Sequence, residues 1–152
     1  MNPHTRLRFI IVGAIWFASF GIKAADAGAS LDMSKAIITH RLGLEDWVKI
    51  QTLAQKDTNV IADMERAMKG SPTEASKLGE PSISEGDKAQ IASILLQFTS
   101  GRGQVIAICL KAEPYFMCTR VQFHTGAAKY FVYLIKANGS RWRFLGKNQF
   151  VT

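Results

Sequence analysis

From Gln104 to Leu145 the chain is a succession of short runs rich in β-branched and aromatic residues, and this constrains the fold more than any other feature. The runs are 104–110, 115–124, 128–137 and 140–145. Such residues fit a pleated, half-buried surface, and turn chemistry separates each run from the next. Asn138-Gly139 is the strongest turn signal, because a type I′ hairpin turn requires positive φ at both central positions. Thr125-Gly126 marks a second turn and Glu113-Pro114 a third. The pattern predicts a four-stranded antiparallel meander.

The preceding segment has helical spacing. Met33, Ala36, Ile37 and His40 follow Ser30, a candidate N-cap, and predict a first helix. Leu44, Trp47, Val48, Gln51 and Ala54 predict a second after Gly43. Ile61, Met64 and Met68 form a further stripe that ends at Gly70 with Pro72 beyond, a helix-stop arrangement. Residues 71–83 read as a loop. Ser84-Glu85-Gly86-Asp87 matches a capping box, and Ile91, Ile94, Leu95 and Phe98 follow at i, i+3, i+4 and i+7. The expectation is a single α+β domain over residues 28–152, its N-terminal helices packed on the meander. The element order resembles that of the cystatin and nuclear-transport-factor-2-like α+β folds over roughly residues 31–145. That resemblance is one of architecture and implies no function.

Residues 1–27 read as a cleavable signal peptide. Arg6 and Arg8 precede an uncharged, mostly apolar run from Phe9 to Ile22, and Ala25-Asp26-Ala27 supplies the small-x-small cleavage pattern. The run is shorter than the ~20 residues that span a bilayer. The expected location is therefore periplasmic or secreted, with no stable membrane insertion after cleavage. In an oxidising compartment a lone pair of cysteines, Cys109 and Cys118, is most simply a disulfide. A two-residue Glu113-Pro114 loop would place them directly opposite each other. That register gathers Ile106, Ile108, Leu110, Met117, Thr119 and Val121 on one face, joined by Tyr130, Val132 and Leu134. It puts Phe131, Tyr133, Ile135, Trp142 and Phe144 on the other, beside Arg120.

Charge is divided along the chain. Residues 28–100 hold 8 Lys/Arg and 10 Asp/Glu, whereas residues 101–152 hold 8 Lys/Arg and only Glu113. A basic half can meet an acidic protein partner or an anionic membrane face, or can simply be the solvated face of a sheet; export argues against nucleic acid. No catalytic constellation emerges: His40 and His124 lack a readable acid partner, no G-x-S-x-G or H-E-x-x-H occurs, and Gly101-Arg102-Gly103 is too short to cradle phosphate. No metal site or cofactor is expected. The candidate binding residues are Arg120, Tyr133, Arg141, Trp142 and Arg143, the last three in an alternating cationic–aromatic stretch of a kind enriched at interfaces. The reading is an exported, non-enzymatic envelope protein, an inhibitor or immunity protein or a secretion-assembly accessory. The alternative is a ligand carrier or enzyme with a cavity between helices and sheet, using His40, Tyr130 or Tyr133.

Overall fold

The computed structural model describes residues 31–70, 83–99, 102–126 and 128–151. The leader 1–27 and most of the 71–83 loop lie outside them. The elements run β1 (Leu31–Asp32), β2 (Ile37–Thr39), α1 (Leu44–Ala54), α2 (Thr58–Met68), α3 (Glu85–Leu95) with a 3₁₀ turn Leu96–Phe98, then β3 (Gly103–Ala112), β4 (Phe116–Thr125), β5 (Ala128–Ala137) and β6 (Arg143–Val151). The fold is α+β, with a mixed six-stranded sheet and three helices among the described residues.

The helices sit mid-chain rather than at the N-terminus, because the first expected helix is absent. In its place β1 and β2 run parallel to β3 along one edge, with Leu31 opposite Gly103 and Ile37 opposite Ala107. Local chemistry explains the misreading. The Asp32 carboxylate accepts from both the amide and the hydroxyl of Ser34, at 2.9 and 2.6 Å. Such a side-chain turn competes with helix formation, and the β-branched run Ile37-Ile38-Thr39 then favours a strand. Parallel pairing of β2 with β3 requires a crossover, and the helical segment supplies it.

The other helices follow their local signals. Ser84 and Asp87 form a reciprocal capping box at the start of α3. Asp57, an N-cap not anticipated from sequence, accepts from the amides of Asn59 and Val60 at the start of α2. The stripe of α2 is rotated from the expected one: Val60, Asp63 and Ala67 are buried, while Ile61 and Met68 are exposed.

From β3 to β6 successive strands pair antiparallel. Helices cover both faces of the sheet. On one face α3 contributes Ile91 and Leu95 to a core with Val105, Ile108, Leu110, Val121, Phe123, Val132 and Leu134. On the other, Ile50 and Ala54 of α1 and Val60 of α2 pack on Cys118, Tyr133 and Ile135.

Several details of register and turn geometry differ from expectation. The β3–β4 turn centres on Pro114-Tyr115, one residue later than predicted, with the Glu113 amide donating to the Phe116 carbonyl at 2.8 Å. Cys109 therefore faces Arg120, Cys118 faces Lys111, and both thiols are free and buried. The expected Cys109–Cys118 bridge is not formed. An irregularity between Val105 and Ala107 also replaces Ile106 by Val105 in the core. In the last hairpin only Gly139 has positive φ (77°), so Asn138-Gly139 does not make a type I′ turn. The final strand begins at Arg143, and Trp142 and Phe144 lie on the α3 side, opposite to the predicted face: Trp142 is in that core and Phe144 packs on Phe98 at 4.8 Å.

Candidate functional site

The division of charge along the sequence resolves into three contacts, each joining a helix carboxylate to a strand cation. Asp46 of α1 meets Arg120 of β4 at 3.1 Å. Asp63 of α2 meets Arg143 of β6. Asp87 of α3 meets Lys136 of β5 at 2.7 Å. The acidic segment folds onto the basic one, so part of the apparent partner signal is internal pairing.

Asp87 and Asp63 are fastening groups. Asp87 is 7 % exposed and accepts from Lys136 Nζ, Trp142 Nε1, and both the amide and hydroxyl of Ser84. Burial pushes its carboxyl up, but the hydrogen bonds from Lys136, Ser84 and Trp142 outweigh that, and the net shift is downward. Asp63 is held low chiefly by its hydrogen bond from Arg143, with Arg66 assisting. These contacts account for Trp142 and Arg143 structurally. Arg141, beside them, is exposed. Of the predicted Arg141-Trp142-Arg143 stretch, two side chains are thus engaged within the fold.

The third contact belongs to something larger. Arg120 donates from Nη1 to Asp46 and from Nη2 to Cys109 Sγ at 3.3 Å, while its buried Nε has no hydrogen-bond partner. The Asp46 carboxylate also accepts from Tyr133 Oη at 3.1 Å. Burial first, and the neighbouring Asp46 charge second, push the Tyr133 phenol up to about 12. That proton does not leave near neutrality, so Tyr133 serves as a donor rather than a base.

Next to this cluster β5 and β6 carry an aromatic pair. Phe131 and Phe150 meet edge-on with centroids 5.0 Å apart. The Arg120 guanidinium lies 4.5 Å and the Lys129 ammonium 5.7 Å from the Phe131 ring centre. Lys49 of α1 sits over Tyr133 and donates to Asn148 of β6. The strand registers place Gln122, Phe131 and Asn148 in one row across the sheet, with Lys129 and Phe150 in the next. Phe150 remains 42 % exposed. Arg120 thus links Asp46 to the Phe131 ring, which Lys129 and Phe150 also meet, while Lys49 lies over Tyr133, the other partner of Asp46. A cation on an aromatic face keeps its charge while losing water, which readies it for an anionic partner.

Sequence reasoning located Arg120 and Tyr133 but missed Asp46, Lys49, Lys129 and Phe150. Alternation along β5 puts Lys129, Phe131 and Tyr133 on one face and would have found Lys129. Phe150 lay beyond the predicted end of the last strand.

A half-open groove of about 240 Å³ lies nearby on the same face, between α1 and α2 and over Phe116 and Ile135. Trp47, Ile50, Ala54, Ile61 and Met64 line it, with Gln51 and Gln55 as polar groups. Its lining excludes His40, Tyr130 and Tyr133, the residues expected to equip a cavity; Tyr130 instead stacks on Phe123 in the opposite core at 4.9 Å. His124 is on β4 with a buried, unpartnered Nε2. Among the described residues no group of three or more His, Cys, Asp or Glu is placed to hold a metal ion, and no helix is long and apolar enough to cross a membrane. Comparison with protein-family models, curated proteins and solved structures finds no match in any of the three.

Proposed function

We propose that the protein is exported, is not an enzyme, and acts in the periplasm or outside the cell by binding an acidic segment of another protein. The contact surface is the sheet face around Phe131 and Phe150, flanked by Arg120, Lys129 and Lys49. One observation carries this reading: Phe131 is approached by both Arg120 and Lys129, while Phe150 keeps 42 % of its surface open beside it. Cations held over rings at a partly exposed aromatic pair suit a carboxylate-bearing partner, with the rings supplying apolar contact area. An inhibitor, an immunity protein or an accessory subunit of a secretion assembly would use such a face.

The test is photo-crosslinking in the source cells with a Phe150→p-benzoylphenylalanine variant. A defined acidic protein is captured, and capture is lost when Lys129→Glu and Phe131→Ala are added. Absence of any crosslinked partner at low ionic strength overturns the reading. N-terminal sequencing of the exported form, with a start at Gly28, tests the leader.

A second reading rests on the groove between α1 and α2: a carrier of a small apolar ligand. Saturable quenching of Trp47 fluorescence by such a ligand, abolished by Ala54→Phe, would favour it.

A further inference from the structure

Among the described residues β6 pairs with β5 alone and forms one edge of the sheet. At nine residues it is much longer than β2, the three-residue strand near the opposite edge. An unpaired edge offers a row of backbone N–H and C=O groups to any extended chain, and natural proteins normally shorten or cover such edges.

Side chains decide which chain would fit. The β5–β6 register puts Phe144 and Lys147 on the α3 side, opposite Leu134 and Val132. On the other side it puts Phe150 opposite Lys129, with Asn148 holding Lys49. Each side of the edge therefore offers an exposed ring and a nearby cation: Phe144 is 37 % and Phe150 42 % exposed. Lys147 lies over the Phe98 and Tyr130 rings, 4.7 and 5.4 Å from their centres. The strand carries Arg143 and Lys147 and no acidic residue. Arg143 is already engaged by Asp63, which leaves Lys147, Lys49 and Lys129 to meet an incoming charge.

We propose that β6 is a strand-addition edge that takes an extended, acidic segment of the partner, with apolar residues between its carboxylates. This rests on the acidic-partner reading above and specifies how the partner is held. Backbone pairing supplies the affinity, and the cation on each side selects acidic side chains. A second copy of this chain fits poorly. Symmetric antiparallel pairing of β6 about its centre would set Lys147 against Lys147, between chains that each carry a formal net charge of +7 before processing.

The test uses a capped twelve-residue peptide of three Glu-Glu-Val-Val repeats, which as a strand carries glutamate on both of its faces, and a control of Lys-Lys-Val-Val repeats. Binding is followed by fluorescence, and hydrogen exchange reports on backbone amides 143–151. The glutamate peptide slows β6 exchange by about tenfold or more, the lysine peptide does not, and Lys147→Glu weakens the glutamate peptide about tenfold. If the glutamate peptide binds while β6 exchange is unchanged and Phe131→Ala abolishes binding, the edge proposal fails and the sheet-face reading stands. If neither peptide binds at low salt, the edge proposal fails with it. Protection of β6 that grows with protein concentration and without peptide assigns the edge to self-association and overturns the proposal.

Discussion

Replacing Asp87 by alanine removes four hydrogen bonds at once, and the cost can be built from the parts. Loss of the Ser84 capping box costs about 1 kcal/mol. Trp142, only 5 % exposed, is left with an indole N–H that has lost its acceptor. An unsatisfied buried donor of that kind costs about 1–3 kcal/mol. The Lys136 side chain is 26 % exposed and can turn its ammonium to water. Its share is therefore about 1 kcal/mol, well short of the 3–5 kcal/mol seen when a fully buried pair is broken. The sum is about 3–5 kcal/mol, a large part of the ~5–15 kcal/mol that stabilises an ordinary domain. Urea unfolding at pH 7 measures it, with an unchanged m-value as the check that the unfolded state is the same. A cycle with Lys136→Met isolates the ionic share. The Asp87 carboxyl is depressed in the folded protein, so its contribution is complete above the unfolded value near ~4 and disappears as pH falls through the folded one. Wild type must then lose more stability than Asp87→Ala between about pH 5 and pH 2. A loss below about 1 kcal/mol at pH 7, or parallel pH curves, would refute the idea that Asp87 fastens α3 to the sheet.

Three further outcomes follow from single contacts. Thr119 is fully buried and its hydroxyl has no hydrogen-bond partner, so Thr119→Val should raise stability by about 1 kcal/mol; a loss in thermal unfolding would contradict it. Asp63→Ala uncouples α2 from Arg143 and should cost about 1–2 kcal/mol by urea unfolding, with the gap narrowing as pH falls through the depressed Asp63 range. Burial pushes the Cys118 thiol up to about 12, so iodoacetamide at pH 8 should leave Cys118 unmodified in the native protein. After unfolding without reductant, both cysteines should alkylate; recovery of a Cys109–Cys118 peptide by mass spectrometry would refute the register.

Local chemistry was legible in the sequence and long-range pairing was not. The Ser84 capping box, the stop at Gly70 and the start of α1 after Gly43 each depend on neighbours within a few positions, and each formed where expected, although α1 buries Ile50 and Ala54 while Leu44 and Val48 of its expected stripe are exposed. The Ile37 segment failed because helical spacing and β-branched content point in opposite directions over so few residues. A parallel seat beside β3, far along the chain, decided between them. The hairpin at Pro114 shows how little separates two registers: moving the turn by one residue kept the side chains from Ile108 to Val121 on their predicted faces yet moved Cys118 away from Cys109. The faces of Trp142 and Phe144 were misassigned for a related reason. The last strand starts later than its residues suggest, and its pairing with β5 is irregular at Tyr133 and Leu134. The candidate site was half visible. Arg120 and Tyr133 stood out by residue type, whereas Asp46 and Lys49 reach them from α1, and no local spacing announces such a meeting.

The seat of β2 beside β3 also orders events in time. The antiparallel strands from β3 onward meet across short turns, while Ile37 finds Ala107 only after closing a loop of about 70 residues. Closing so large a loop has an entropic cost that the hairpins avoid, so the meander can assemble before the outer strands arrive. The same logic runs in reverse under load or heat: β1 and β2 are the first to peel away, exposing the Cys109 side of β3 while β4, β5 and β6 still hold together.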